Sequence, residues 1–258
     1  MKRDRVALRI SVMGSVLLVA TLLLNYLSDM FKLGGYTNKE ISDMYPTLFT
    51  PDKITFSIWG IIYLGLIIFA VFSFRKGNKD NVKDIGVYYI LSFVLNMAWI
   101  ILWHFNKVGV SLGIIILLMV TLYIITNRLD EDKDIMGKSI FGLYTGWITI
   151  ATAANMFVSL STITPKFHES TLEILLVLFT MIIVTMVTWF MVTIKENPFY
   201  GVAVIWGEVG VVMNQFKAFS GEHQAIIIGG ILSILIIALG IIIALTHSGR
   251  NVQGELNS

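Results

Sequence analysis

"TFSIWGIIYLGLIIFAVFSF", residues 55–74, is an almost unbroken apolar run. A helix of about 20 such residues crosses the hydrocarbon core of a bilayer, at about 1.5 Å per residue. Phe56, Trp59 and Tyr63 recur in it at offsets 0, 3 and 7, which puts three rings on one helical face. A membrane anchor needs only aliphatic side chains, so an aromatic stripe predicts a helix that faces something besides lipid.

Seven further runs of similar character flank it. Hydropathy places helices at roughly 9–28, 56–74, 86–105, 109–126, 139–160, 172–194, 199–216 and 225–246. The chain is 56% hydrophobic and only 14% charged, with mean hydropathy +0.78. These values predict an all-α polytopic membrane protein whose partner is the lipid bilayer. The seventh run is the weakest, because Glu208 lies at its centre between Gly207 and Gly210. The N-terminus has the basic start of a signal peptide. Its apolar stretch, Ile10 to Leu27, is nonetheless long enough to span, and no small-x-small cleavage site follows, so a retained first helix is expected.

Basic residues set the orientation. With eight spans, Lys32, Lys39, Lys53, Lys107, Lys166 and Lys217 fall on one side, and the other 13 of the 19 lysines and arginines on the opposite side. The positive-inside tendency then places both termini in the cytoplasm and the long 29–55 segment outside. Continuous apolar helices, rather than alternating strands, point to a bacterial plasma membrane. The 29–55 segment is long for a connection between packed helices. Its Gly34-Gly35 pair, Pro46 and Pro51 suit a folded-over cap, while a mobile tether is the competing reading. "DEDKD" (130–134) reads as a solvated turn on the inner face.

Two other helices answer the opening stripe. In "LNMAWIILWHF" (95–105), Asn96, Trp99 and Trp103 fall at offsets 0, 3 and 7. In "LYTGWITIATAAN" (143–155), Tyr144, Trp147, Ala151 and Asn155 fall at 0, 3, 7 and 11. Each set shares one face. Interfacial belts collect Trp and Tyr at both membrane surfaces, which accounts for Trp103 and suits Trp59. That explanation fails for Trp147, in the middle of its span, where lipid tails offer its indole N–H no acceptor. Asn96 and Asn155 each need partners inside a membrane, and an interhelical hydrogen bond or a polar cavity would serve. Sharing faces with tryptophans, they favour an aromatic-walled pocket that opens toward the 29–55 loop, with Trp147 near its floor. Such a pocket suits a flat hydrophobic ligand.

These segments together resemble the tryptophan-rich sensory protein family, TspO/MBR, whose mitochondrial members are the translocator proteins. "FTPDKITFSIWGIIYLG" is similar to the family's proline-containing W-x-F-x-x-x-W-x-x-x-Y second-helix start, "LNMAWIILWHF" to its third-helix L-N-x-x-W, and "LYTGWITIATAAN" to its fifth-helix P-Y-x-x-W-x-x-x-A-x-x-x-N. The resemblance covers about residues 9–160. It implies a five-helix bundle over residues 1–160, with the first loop capping the pocket. It also implies a porphyrin-like or other tetrapyrrole ligand, with the family's pocket positions falling on Trp59, Trp147, Asn96, Asn155 and Tyr144; the stripes add Phe56, Tyr63, Trp99, Trp103 and Ala151 to the expected ligand-binding set. No resident cofactor is implied, but a homodimer is. The sequence departs from the family at Leu143, which replaces a proline, and before the second helix, where only Pro51 remains of a tryptophan–proline cluster. The cholesterol-recognition pattern is absent after Asn155, which disfavours sterol.

Residues 161–258 form an additional region of about three transmembrane helices with no recognised chemical motif. Glu208 is its one conspicuous residue: an ionisable group in mid-span marks a functional site unless "WGEVG" is a loop. Ala203-xxx-Gly207 and Gly109-xxx-Gly113 permit close helix approach. The absence of cysteine excludes disulfides and thiolate metal sites. His104, His168, His223 and His247 form no ligand pair, so no metal is expected, and no nucleophile or phosphate-binding motif indicates an enzyme. The net charge of +2 is too small and scattered for nucleic acid. Three functions stay open: a membrane receptor or sensor for a planar ligand, a secondary transporter coupled through Glu208, and light-dependent tetrapyrrole degradation.

Overall fold

A computed structural model describes residues 2–75, 79–129, 135–164 and 166–256. The "DEDKD" turn and the His247 side chain lie outside the described residues. The described chain is helical. After α1 (Lys2–Met30) come a 3-10 turn (Leu33–Gly35), the short α2 (Asn38–Met44) and a second 3-10 turn (Lys53–Ser57). Then follow α3 (Ile58–Phe72), α4 (Lys79–His104), α5 (Val108–Arg128), α6 (Ile135–Ile163), α7 (Thr171–Thr193), α8 (Pro198–Ala218) and α9 (Gln224–Leu256). α4 bends at Gly86, whose φ of 43° is open to glycine, so that its apolar part starts where the hydropathy reading puts it.

Seven of these helices are long and apolar enough to cross a membrane. α8 falls short on composition, yet it is a continuous helix packed among α6, α7 and α9. "WGEVG" is therefore helical and not a loop, and α8 is shielded by its neighbours, although it is not among the seven helices apolar enough to span.

Five helices close a ring in the order α1–α3–α6–α5–α4. α1 and α4 run in the same direction: Gly14 lies against Tyr89 near one end and Asn25 against Asn96 near the other. α6 also runs parallel to α8, with Gly142 beside Asn197, Gly146 beside Tyr200 and Gly207 beside Ile150. A Cβ at Gly146 would run into the Tyr200 carbonyl, so glycine is what lets these two backbones approach. Ala203 and Gly207 thus serve packing within the chain, whereas Gly109 and Gly113 meet nothing. α6 is the hub, with 61% of its apolar window buried. α7, α8 and α9 form a second group that joins the ring mainly where α8 meets α6.

Local chemistry sets the helix starts. Ser170 caps α7 by accepting the Glu173 N–H, and Asn197 caps α8 ahead of Pro198, whose missing N–H costs nothing in a first turn. The 29–55 segment is a folded cap and not a tether. Thr37 and Glu40 form a reciprocal capping box at the start of α2, and Ile41, Leu48 and Phe49 are fully buried. Burying each of these three side chains contributes roughly 1.5–3 kcal/mol. Loop-closure entropy grows only slowly with length and does not outweigh that.

Candidate functional site

Inside the five-helix ring the three aromatic stripes converge. Trp59 on α3 packs edge-on to Trp147 on α6, with ring centroids 6.4 Å apart, and Phe56 meets the same indole at 5.6 Å. Trp99 and Trp103 on α4 stack at 6.0 Å. All five line one cavity of about 50 Å³, together with Ala151 and Asn155. Ile150, Ala154 and Val158 extend the α6 wall. Ala154 and Val158 continue the helical face of Trp147 and Ala151, so periodicity could have found them. Asn38, Ser42, Thr50 and Pro51 come down from the capping loop, and no repeat in the sequence announces them.

The other three expected residues lie beside the cavity lining and brace it. Tyr63 stacks on Trp59 at 5.2 Å, and Tyr144 meets Trp59 edge-on at 5.9 Å. Asn96, fully buried, donates from Nδ2 to the Tyr144 hydroxyl at 2.8 Å and accepts from Asn25 at 3.5 Å. Its amide is committed to holding α1, α4 and α6 together. Asn155 does both jobs: it lines the cavity and donates to the Ser111 hydroxyl of α5 at 3.2 Å.

Donors in the cavity wall are left over. Trp99 is 7% exposed and Trp147 1%, and neither indole N–H has a hydrogen-bond partner. Trp103, by contrast, donates to the Asn38 carbonyl at 3.4 Å. Buried donors are paired in the great majority of cases, so two unpaired ones among the lining residues of one small cavity call for an explanation. Above the cavity a wider vestibule of about 500 Å³ lies between the capping loop and the end of α8, reaching Asn214 and Phe219. Cavity and vestibule share Asn38, Ser42, Thr50, Pro51 and Phe56, which form the partition between them.

The model for the TSPO-like protein family matches residues 11–243. The chain belongs to the TSPO-like protein family. The match runs through α9, so it takes in the last three helices as well as the five-helix ring. No curated protein and no solved structure matches the chain. The chain is thus a TspO-type integral membrane protein with helices embedded in lipid.

At the loop end of this TSPO-like protein, charge is mostly paired. Asp52 accepts from Lys217 at 2.9 Å, and that hydrogen bond holds its carboxyl below its ordinary value despite the opposing effect of burial. Lys32 likewise lowers Glu40, aided by the Thr37 N–H. His104, expected near the outer face, is buried and contacts Asp29 at 3.2 Å. Among the described residues no cluster of three or more His, Asp or Glu could hold a metal ion.

Glu208 lies apart from all of this. It sits on the α8 face that also carries Gly201, which packs against Val192 of α7 and Ile237 of α9. It is fully buried, and neither carboxyl oxygen has a hydrogen-bond partner. The Ser233 hydroxyl is its polar neighbour but does not reach hydrogen-bonding geometry.

Proposed function

We propose that this TSPO-like protein is a membrane receptor or sensor that takes a planar, largely apolar ligand of the tetrapyrrole class between the tryptophans of α3, α4 and α6. The observation that carries the reading is the pair of unpartnered indole donors, Trp99 and Trp147, in an otherwise apolar cage. Four indoles and Phe56 offer flat faces to a conjugated ring. The two N–H groups then call for an acceptor on that ring, such as a carbonyl, a carboxylate or a ring nitrogen.

Size adds a condition. Pockets for drug-sized molecules occupy about 300–1,000 Å³. The cavity is far smaller, whereas the adjoining vestibule is of that order. Ligand therefore reaches the tryptophans as the partition around Phe56, Thr50 and Pro51 shifts and merges the two spaces. In the orientation set by the basic residues, with both termini cytoplasmic, the ligand arrives from the outer side. Adding protoporphyrin IX to the purified protein should quench tryptophan fluorescence saturably, and Trp147→Ala should remove most of the effect. Equal quenching in wild type and variant refutes the assignment.

A second reading rests on Glu208. Leaving a carboxyl buried without a partner is costly, and such residues in membrane segments mark ion or proton pathways. Under this reading the protein is a secondary transporter with Glu208 as its coupling group. Uptake into proteoliposomes driven by a pH gradient and lost in Glu208→Gln supports transport. Unchanged protoporphyrin quenching in that variant, without gradient-driven uptake in wild type, supports the receptor.

A further inference from the structure

The capping loop is fastened at two places by two different parts of the fold. Its first half belongs to the ring: Asn38 N–H donates to Asp29 at 2.7 Å, and Asn106 on the α4–α5 connection donates to the Tyr45 hydroxyl at 3.0 Å. Its second half belongs to the C-terminal helices. Leu48 N–H donates to Glu173 Oε1 of α7 at 2.7 Å, and the Leu48 carbonyl accepts from Gln215 Nε2 of α8 at 2.7 Å. Both side chains are fully buried. One peptide segment is thus gripped on its donor and its acceptor side by two helices more than 100 residues away in sequence.

The grip is itself supported. The second oxygen of Glu173 accepts the Glu169 N–H at 2.8 Å, and His223 Nδ1 contacts Gln215 Oε1 at 3.1 Å, which orients the amide so that its NH₂ faces Leu48. Three further bonds follow along the loop: Asp52 N–H to the Gly210 carbonyl at 2.9 Å, Lys217 to Asp52, and Trp206 Nε1 to the Thr55 carbonyl at 2.8 Å. The residues between these anchors include Thr50 and Pro51, and Phe56 comes directly after the last; all three form the partition.

We propose that Glu173 and Gln215 are positioning residues of the ligand site: by holding the Leu48 peptide they set the partition over the tryptophan cavity, so the C-terminal helices control access to it. This rests on the reading of the cavity as a ligand site. Neither residue lines the cavity; each acts through the loop. Ligand access and release both require the Leu48 grip to loosen, and weakening it speeds both.

The chain has no cysteine, so single reporters can be introduced cleanly. Thr47→Cys, at a buried position beside Leu48, reports opening of the second half; Ile41→Cys, fully buried on α2 and outside the linings of both cavity and vestibule, reports the first. In full-length protein, Glu173→Ala and Gln215→Ala should each raise the maleimide labelling rate of Thr47→Cys at least tenfold and that of Ile41→Cys less than twofold. Gln215→Glu, which places an acceptor against the Leu48 carbonyl, should do the same. Lys217→Ala, at a half-exposed site that does not threaten folding, should raise it about twofold. In stopped-flow quenching with protoporphyrin IX, the grip variants should show faster association and faster dissociation, each by several-fold, with Kd changed little. Equal rises at both reporters mean general loosening and overturn the proposal, as does no rise at Thr47→Cys. A selective rise with unaltered protoporphyrin kinetics overturns the link to the ligand site. If wild type shows no quenching at all, the ligand assignment fails by itself, and the two reporters alone decide whether the grip exists.

Discussion

In the ring that surrounds the cavity, Trp99 and Trp147 hold buried N–H groups with no hydrogen-bond partner among the described residues. On the side of α7 and α8, Glu173, Gln215, Trp206 and Lys217 spend their hydrogen-bonding capacity on the capping loop. Two indoles of the cavity lining leave their donors unpaired, while these four side chains, none of which lines the cavity, have committed theirs. An unpaired buried donor costs free energy in the folded state, about 1–3 kcal/mol, and that cost is recovered when an acceptor arrives. A paired one contributes rigidity at once. On the proposed function, the contrast separates residues that would meet a ligand from residues that hold the loop.

Each half of this contrast can be broken separately. The largest effect is expected from Trp147→Ala, which removes an indole touching both Phe56 and Trp59 and should weaken protoporphyrin binding at least 100-fold by fluorescence titration. Trp147→Phe and Trp99→Phe keep a ring and delete only the donor. Each should lose about tenfold in affinity, which corresponds to about 1.4 kcal/mol. A variant that binds as tightly as wild type would show that its indole N–H was never held for a ligand.

Asn96→Leu tests whether a brace can be told from a contact. It breaks the Asn25–Asn96–Tyr144 chain and should lower stability by about 1 kcal/mol in detergent unfolding, with less than threefold change in affinity. A larger affinity loss without destabilisation would return Asn96 to the ligand-binding set.

The smallest effect concerns acid. Asp52 is held below its ordinary value by Lys217, so it binds fewer protons folded than unfolded. Its contribution is fully present above the ordinary carboxylate range and is lost as pH falls through the lowered value. Labelling of Thr47→Cys should therefore be flat in this respect from pH 8 to pH 5, once corrected for thiolate reactivity, and any Asp52-linked rise should appear only in stronger acid and vanish in Lys217→Ala.

The ring and its stripes were readable because membrane helices write their faces in residue spacing. Trp59, Trp99 and Trp147 could be placed toward one another from offsets alone, since a 3.6-residue period and an unpaired indole constrain them. The choice of partner was not readable. Nothing in the offsets distinguishes Asn96, which bonds Tyr144, from Asn155, which also reaches the cavity. The grip on Leu48 was hidden for a different reason. Glu173 sits three residues after Ser170, where a carboxylate ordinarily serves its own helix start, and only the fold shows it turned to a loop 125 residues earlier. Gln215 belongs to no motif or stripe in the sequence. Contacts of that range leave no periodic trace in one sequence.

The six tryptophans give one spectrum that speaks to the cavity and to the C-terminal helices at once. In ¹⁵N–¹H spectra of the indole groups, titration with protoporphyrin IX should move the Trp99 and Trp147 signals furthest, as their protons gain an acceptor. Trp189, packed against Gly240 of α9, should stay in place, and so should Trp206, bonded to Thr55. Saturable binding that leaves Trp99 and Trp147 unmoved, or that moves Trp189 instead, would contradict the claim that these two donors await the ligand.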